Sequence, residues 1–487
     1  VDAGAAGAFS ELYLAEASAP DRQRRIAEMR GGGWGVADWS PDDRTLLVQE
    51  YVSANESYLW TLDVAGGDMR ELTPGPRDGS SKVAYRGALF AADGASIYTT
   101  SDLGTEFREL RRISLADGEQ ESLSAHVPWD VSSFDLTPDG RKIVYVTNEA
   151  GSSRLRILDT ATGRELAAPE LPNGVIGGIE IHRNGRDVGF SLTSATIAGD
   201  AFSFDLETLE VERWTRSESG GLDTSDWAEA ELVTWSGFDG LEISGFLYSP
   251  PARFTGKRPV IVNIHGGPEG QSRPTFKGTM NYFINELGIA VIYPNVRGSA
   301  GFGKTFIQLD NGFRREGSYR DIGSLLDWIA EHDDLDEDRV LVTGGSYGGF
   351  MTLAVATQYD DRICCSIDVV GISNLKTFLQ NTQGYRRDLR RVEYGDERDP
   401  EMAAFLDRIA PMNHAENITK PIFIIQGAND PRVPKSESDQ MVATLRRIGT
   451  PVWYMVGRNE GHGFRKKDNA DFQFYATVAF VRQHLLN

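Results

Sequence analysis

The sequence predicts two folds in series. The first is an all-β repeat over residues 1–225, a propeller with four to five blades visible. The second is a doubly wound, mostly parallel α/β domain over residues 226–487. Three observations predict this. Apolar and polar residues alternate with period two through the first 220 residues, as half-buried strands require. From about residue 230, short apolar runs alternate with helix-length segments. The chain is 40% hydrophobic over 487 residues, enough for real cores and too much for general disorder.

The repeat is marked by its turns. Pro41-Asp42-Asp43, Asp93-Gly94, Pro138-Asp139-Gly140 and Asn184-Gly185 recur so that Asp43, Gly94, Gly140 and Gly185 stand 51, 46 and 45 residues apart. β-Rich runs follow, such as Leu46-Leu47-Val48, Ile97-Tyr98, Ile143–Val146 and Val188-Gly189-Phe190. A second hairpin comes next, at Tyr58–Asp63 with Met69–Leu72 and at Leu155–Asp159 with its turn at Thr162-Gly163. Four strands per period of about 40–50 residues is the pattern of a propeller blade. An irregular β-sandwich is the alternative, since such turns occur in any antiparallel protein. The regular spacing favours the propeller. The tryptophans here, Trp34, Trp39, Trp60 and Trp129, read as blade packing.

In the second half a hairpin (Glu231–Trp235, Leu241–Tyr248) precedes six buried-strand runs: Val260–Ile264, Ala290–Tyr293, Val340–Val342, Ser366–Val370, Ile422–Ile425 and Val452–Val456. Helical stretches at Ser324–His332, Gly349–Gln358 and Ser436–Ile448 lie between them. Such alternation implies a parallel sheet covered on both faces, with functional groups at the carboxyl ends of its strands.

Composition narrows the chemistry. A net charge of −21 argues against binding nucleic acid by neutralising phosphates. The two cysteines, Cys364 and Cys365, are neighbours, which excludes a disulfide framework within the chain and a thiol-ligated zinc site. No His, Asp and Glu cluster has metal-ligand spacing, so neither metal nor cofactor is expected. No apolar run reaches the roughly 18 residues of a membrane span. Val1 is not Met and no charged-then-apolar leader follows it. The expectation is therefore a leader absent or removed, or a chain beginning inside a longer protein. The protein is expected to be soluble and off the membrane. The compartment is cytoplasmic, or periplasmic or secreted if a leader has been removed.

Two motifs compete for the chemistry. Gly298–Thr305 fits the phosphate-loop pattern G-x-x-x-x-G-K-[ST], but Pro294 and Arg297 intervene before its glycine. No nearby strand offers an obvious magnesium carboxylate beyond Asp368. Gly344-Gly345-Ser346-Tyr347-Gly348 fits G-x-S-x-G, which alone expects roughly 0.4 chance matches in a chain this rich in glycine. Its context is specific: Val340–Val342 reads as a strand and Gly349–Gln358 as a helix. A sharp turn between them would lift Ser346 above the sheet edge, and only small neighbours leave room for it. A serine needs a base, and the order Ser…Asp…His leaves late histidines. His462, in a glycine-flanked loop after Val452–Val456, fits better than His484 in the terminal helix or His414, which precedes any plausible acid. Asp430 ends the preceding strand and is the candidate orienting carboxylate, with Asp368 in reserve. An acyl intermediate also needs two backbone donors for its oxyanion. One is the N–H of Tyr347, and the other should come from Ile264-His265-Gly266-Gly267-Pro268, where His265 reads as structural.

These residues resemble the prolyl oligopeptidase family of serine peptidases, most nearly its acylaminoacyl-peptidase-like branch. The resemblance rests on His265–Pro268, Gly344–Phe350, Asn295–Ser299, Asp430–Pro434 and Glu460–Phe464. It implies an α/β-hydrolase domain behind a β-propeller and the cleavage of short peptides. By its pattern Ser346, Asp430 and His462 form the triad and Gly267 and Tyr347 supply the oxyanion donors. Arg432 holds the carbonyl of the second residue upstream of the cut, a task suited to its two-pronged guanidinium. The same family has a glycine-rich segment where Gly298–Thr305 falls. Its propellers have seven or eight blades, whereas residues 1–222 supply four to five, and Leu12–Ile26 reads as the outer hairpin of a blade without inner strands. An open ring would expose strand edges and invite a second copy of the chain. Three other functions remain on these residues: an esterase or amidase on small acyl compounds, a propeller interaction module with an inactive hydrolase domain, and, remotely, a nucleotide hydrolase. The arginines of Tyr385–Arg391 read as a solvated face paired with Glu393, Asp396 and Glu397.

Overall fold

The alternating first half folds into four antiparallel sheets of four strands each, every one a simple meander in chain order. The computed structural model describes residues 2–3, 9–73, 82–219, 221–222 and 224–487, and Val1 lies outside the described residues. The four sheets begin at Trp34–Trp39, Tyr85–Phe90, Asp130–Leu136 and Val175–Ile181. A three-stranded sheet precedes them, built from Asp2–Ala3, Phe9–Glu16 and Ala19–Arg30, and the hairpin expected at Leu12–Ile26 falls in it.

Each repeat copies local detail. The marker turns place Asp43, Gly94, Gly140 and Gly185 at φ of 59°, 65°, 69° and 71°, a left-handed turn that glycine adopts without strain and aspartate tolerates. In all four sheets the first strand shifts register at the same place, between Val36 and Asp38, Arg86 and Ala88, Val131 and Ser133, and Gly177 and Glu180. A bulge there bends the strand and increases its twist. Successive sheets pack through apolar side chains. Leu12, Ile26 and Met29 meet Leu46, Val48 and Leu62; Leu47 and Leu59 meet Tyr85, Phe90 and Ile97; Tyr98 and Leu110 meet Val131, Ile143 and Tyr145. Trp34 and Trp60 join the first of these clusters with ring centroids 5.8 Å apart, and Trp129 packs on Phe107, whereas Trp39 is exposed.

Chain contacts divide the molecule into two compact units. One holds residues up to 193 with 199–217 and 301–305; the other holds 194–198, 218–300 and 306–487. Within the first unit, the motif lysine Lys304 pairs with Asp102 at 3.4 Å. The amide and hydroxyl of Thr305 donate to the two Glu106 oxygens at 2.6 and 2.8 Å. A carboxylate thus occupies the donors that a phosphate would need, and the phosphate-loop reading loses its site.

The second unit is built on one eight-stranded sheet. In chain order its strands are β1 (Glu231–Ser236), β2 (Glu242–Tyr248), β3 (Arg258–Ile264), β4 (Ala290–Asn295), β5 (Leu335–Gly345), β6 (Cys365–Val369), β7 (Ile422–Gly427) and β8 (Val452–Gly457). Their spatial order is β1-β2-β4-β3-β5-β6-β7-β8. β2 runs antiparallel to β1 and β4, and the remaining pairs are parallel. Helices α1 (Glu316–Glu331), α2 (Tyr347–Gln358), α3 (Gly384–Tyr394), α4 (Lys435–Ile448) and α5 (Lys467–His484) accompany it. Two apolar clusters line the sheet. One contains Val260, Val262, Val340, Val342, Phe350 and Leu353; the other contains Ile261, Val291, Leu341, Phe423 and Phe480. Consecutive strand residues go to opposite clusters, which is why these strands read as unbroken apolar runs.

Candidate active site

Parallel register brings the carboxyl ends of five strands together. Ile264 pairs with Gly344 and Gly345 with Val369, while Val369 pairs with Ile425 and Gly427 with Gly457. The loops leaving β3, β5, β7 and β8 carry the candidates named from the sequence.

Ser346 sits between β5 and α2 at φ 60°, ψ −117°, a conformation that costs energy in any residue but glycine. The surroundings hold it there: Ser346 N–H donates to Val369 O at 2.9 Å, and Ser346 O accepts from Gly349 and Phe350 at 3.0 and 3.1 Å. Among the described residues its Oγ has no hydrogen-bond partner. The loop after β3 lies directly against it. A Cβ on Gly266 would stand 2.9 Å from Gly345 O and 3.4 Å from Ser346 Cβ, so no side chain fits there. Tyr347 opens α2, where the first amides have no carbonyl partner within the helix.

His462 Nδ1 is 2.7 Å from Asp430 Oδ2, and the Asp430 carboxyl is fully buried. Its other oxygen accepts the amides of Arg432 and Val433 at 2.8 and 3.0 Å, which fixes the carboxyl plane. With a carboxylate on Nδ1–H, the lone pair of the imidazole is on Nε2. Asp368, the reserve acid, is buried elsewhere in the sheet. Burial pushes its carboxyl up to about 7, against the pull of the Gly371 amide. The Arg432 guanidinium is exposed and has no hydrogen-bond or ion-pair partner among the described residues.

His265 is enclosed. Its ring nitrogens lie 2.9 Å from Gly266 O and 2.8 Å from Ser299 Oγ, and burial pulls its pKa down, which favours the neutral ring. It ties the loop after β3 to the loop after β4. The same loop after β4 is anchored by Arg297, which bridges Asp321 and Asp239.

Three supports were not assigned from the sequence. Glu460 accepts the amides of Arg465 and Lys466 at 3.1 Å each and Asn469 Nδ2 at 2.6 Å, tying the His462 loop to the start of α5. Arg315 is fully buried against Asp310 and donates to Tyr347 OH at 3.0 Å. Arg390 is a correction: its side chain leaves the expected solvated face and is only 12% exposed among Glu269, Glu393 and Gly267. Arg391 pairs with Asp396 and Glu397 as expected, but its side chain is 13% exposed, about as enclosed as that of Arg390. Among the described residues no group of three or more His, Cys, Asp and Glu side chains could hold a metal. No helix among them is long and apolar enough to cross a membrane.

Residues 274–487 match the prolyl oligopeptidase family. Dipeptidyl aminopeptidase BIII of Pseudoxanthomonas mexicana is 26% identical over 97% of this chain and 83% of its own length. Dipeptidyl peptidase family member 6 of Caenorhabditis elegans is 38% identical over 46% of this chain, but that match covers 31% of the relative. A puromycin-hydrolyzing peptidase of Mycobacterium tuberculosis has the same fold, with a TM-score of 0.85 at 21% identity over 96% of this chain and 72% of that one.

Proposed function

The chain belongs to the prolyl oligopeptidase family of serine peptidases, and from that premise we propose that it cleaves short peptides through an acyl-enzyme on Ser346. The observation that carries the assignment of roles is the hydrogen bond from His462 Nδ1 to the buried, doubly anchored Asp430 carboxyl. It leaves Nε2 as the base on a loop at the same strand ends as the Ser346 elbow.

Ser346 Oγ attacks the peptide carbonyl carbon while its proton passes to His462 Nε2. The carbonyl oxygen gains the negative charge and accepts the N–H groups of Tyr347 and Gly267. Collapse breaks the C–N bond, and the departing amine takes the proton from Nε2. Water then attacks the ester by the same route in reverse roles, releasing the acid and restoring Ser346. Asp430 keeps its hydrogen bond to Nδ1 and steadies the imidazolium. Arg432, exposed and unpartnered, donates to the carbonyl of the second residue upstream of the cut. Among the described residues Ser346 Oγ has no hydrogen-bond partner, and in this reading the Ser346–His462 hydrogen bond forms as substrate arrives.

A fluorophosphonate probe followed by peptide mapping tests this directly. The label is expected on Ser346, and Ser346→Ala should lose both label and peptide turnover, by at least about 10⁴-fold. A label on another residue, or retained turnover in the alanine variant, overturns the reading.

A further inference from the structure

Helix α3 carries a buried polar cluster that the reaction above leaves unused. Arg390 Nη1 donates to the carbonyl of Gly267 at 2.8 Å and to Glu393 Oε2 at 2.9 Å, and it meets both Glu269 oxygens at 3.3 Å. Tyr394 OH reaches the same Gly267 carbonyl at 3.4 Å. Nearby, the rings of Tyr347 and Tyr394 stack with centroids 5.9 Å apart, and the Arg315 guanidinium lies beside the pair, 5.2 Å from each centroid. It donates to Tyr347 OH at 3.0 Å and to the carbonyl of Glu393 at 2.6 Å. The end of α3 therefore holds Gly267 by its carbonyl and Tyr347 by its ring. Gly267, at φ 135°, has no side chain to restrict its rotation; Arg390 and Tyr394 hold its carbonyl, while the Gly266 carbonyl, in the peptide plane of the Gly267 N–H, lies 2.9 Å from His265 Nδ1.

We propose that α3 sets the geometry of the oxyanion hole, with Arg390 as the positioning residue that holds the Gly267 carbonyl and with it the loop that presents the Gly267 N–H. The proposal rests on the reading that Gly267 and Tyr347 are the oxyanion donors. Arg390 touches neither substrate nor the reacting atoms; it acts through the loop.

A proton completes the cluster. Glu393 Oε1 is buried and receives no hydrogen bond. The groups facing Glu393 are Glu269 from the loop, Arg315 ahead of α1, and Arg390 and Tyr394 on its own helix, with Asp310 and Tyr347 beyond Arg315. Burial and the Glu269 carboxyl push Glu393 well up, whereas its hydrogen bond and the Arg390 charge hold Glu269 low despite burial. Of the two carboxyls that meet Arg390 Nη1, Glu393 is therefore the one that holds a proton. As pH rises through the raised value, two carboxylates compete for Arg390 and the Gly267 carbonyl loses its donor.

The test compares Arg390→Met, Arg390→Lys and Glu393→Gln in the full chain. Arg390→Met is expected to lower kcat about 10–100-fold with KM within about twofold, and to weaken a peptide aldehyde by the same factor as kcat. Arg390→Lys, which keeps a cation and a donor, should recover most of the loss. It also keeps the test valid if the methionine variant does not fold. Glu393→Gln cannot lose its hydrogen, so the alkaline fall in kcat should move to higher pH. Wild-type kcat in Arg390→Met, a loss confined to KM, or no rescue by lysine overturns the positioning role. An unshifted alkaline limb in Glu393→Gln overturns the proton on Glu393. Fluorophosphonate labelling of wild-type Ser346, run alongside, separates these outcomes from failure of the serine-peptidase reading itself.

Discussion

Asp43 and Ser346 both hold a side chain at φ near 60°, where glycine is the easy choice, and the two sites treat that cost in opposite ways. At the blade turn the other three repeats use glycine, so the turn needs the conformation and nothing else. At the strand-to-helix turn Gly344, Gly345, Gly348 and Gly349 surround the strained position, yet that position is a serine, whose hydroxyl the proposed reaction needs. The blades repeat their devices, and each interface between sheets is one of several. The hydrolase unit has a single copy of each element, positioned by contacts from distant parts of the chain. Substitutions in the blades should therefore change stability and leave the rate of folded molecules alone. Substitutions in the strand-end loops should do the reverse.

The largest effect expected is at Asp430. Asp430→Asn removes the acceptor that fixes the His462 tautomer and leaves no carboxylate beside the imidazolium. It should lower kcat about 10⁴-fold while the melting temperature stays within a few degrees. A loss below about tenfold would mean that the His462–Asp430 contact is structural. The matching experiment in the blades is Leu47→Ala. Leu47 is fully buried between the first two four-stranded sheets, and its truncation should cost about 2–5 kcal/mol in a denaturant titration. The kcat of the remaining folded fraction should be within about twofold of wild type. A rate collapse at full folding would break the division of labour between the two regions.

The parts that were legible in the sequence are short-range. The elbow, the His462 loop and the repeated turns each lie within a few residues, and their glycines are demanded locally. Most helix ends were legible within a residue or two as well: the segments expected at Ser324–His332, Gly349–Gln358 and Ser436–Ile448 are Glu316–Glu331, Tyr347–Gln358 and Lys435–Ile448, the first starting well ahead of its expected residue. The run from Leu375 to Arg408 was harder. It holds three helices in a stretch dense with charge, although Asp399-Pro400 is a readable start, the aspartate accepting the Glu401 and Met402 amides. Arg390 shows why charge misleads. Burying a guanidinium requires partners, and its partners Gly267 and Glu269 are more than a hundred residues away, so a local reading sees only surface. Arg315, Tyr394 and the side-chain contacts of Tyr347 were hidden for the same reason.

The smallest effect compares two acids, one in each region, Asp135 half-buried and Asp368 buried. Asp135 lies in a blade strand, where the amides of Ile181 and Leu136 supply donors at 2.6 and 2.8 Å. Asp368 lies in β6, paired in register with Gly344 of the elbow, and its Oδ1 receives no hydrogen bond. Burial raises both, but Asp368 is pushed up to about 7. A carboxyl whose folded value exceeds its unfolded one contributes stability that is complete below the unfolded value and lost as pH rises through the folded value. Asp368 should therefore weaken the folded chain progressively between about pH 4 and 8. Asp368→Asn, which carries no ionisable proton, should gain in melting temperature relative to wild type across that range, by a few degrees at pH 8 over its difference at pH 5. Asp135→Asn should show a smaller gain, because its two amide donors already stabilise the ionised form. Equal pH dependence in both variants would mean that the unpartnered oxygen of Asp368 is hydrated, and that the sheet beneath the elbow is no drier than a blade.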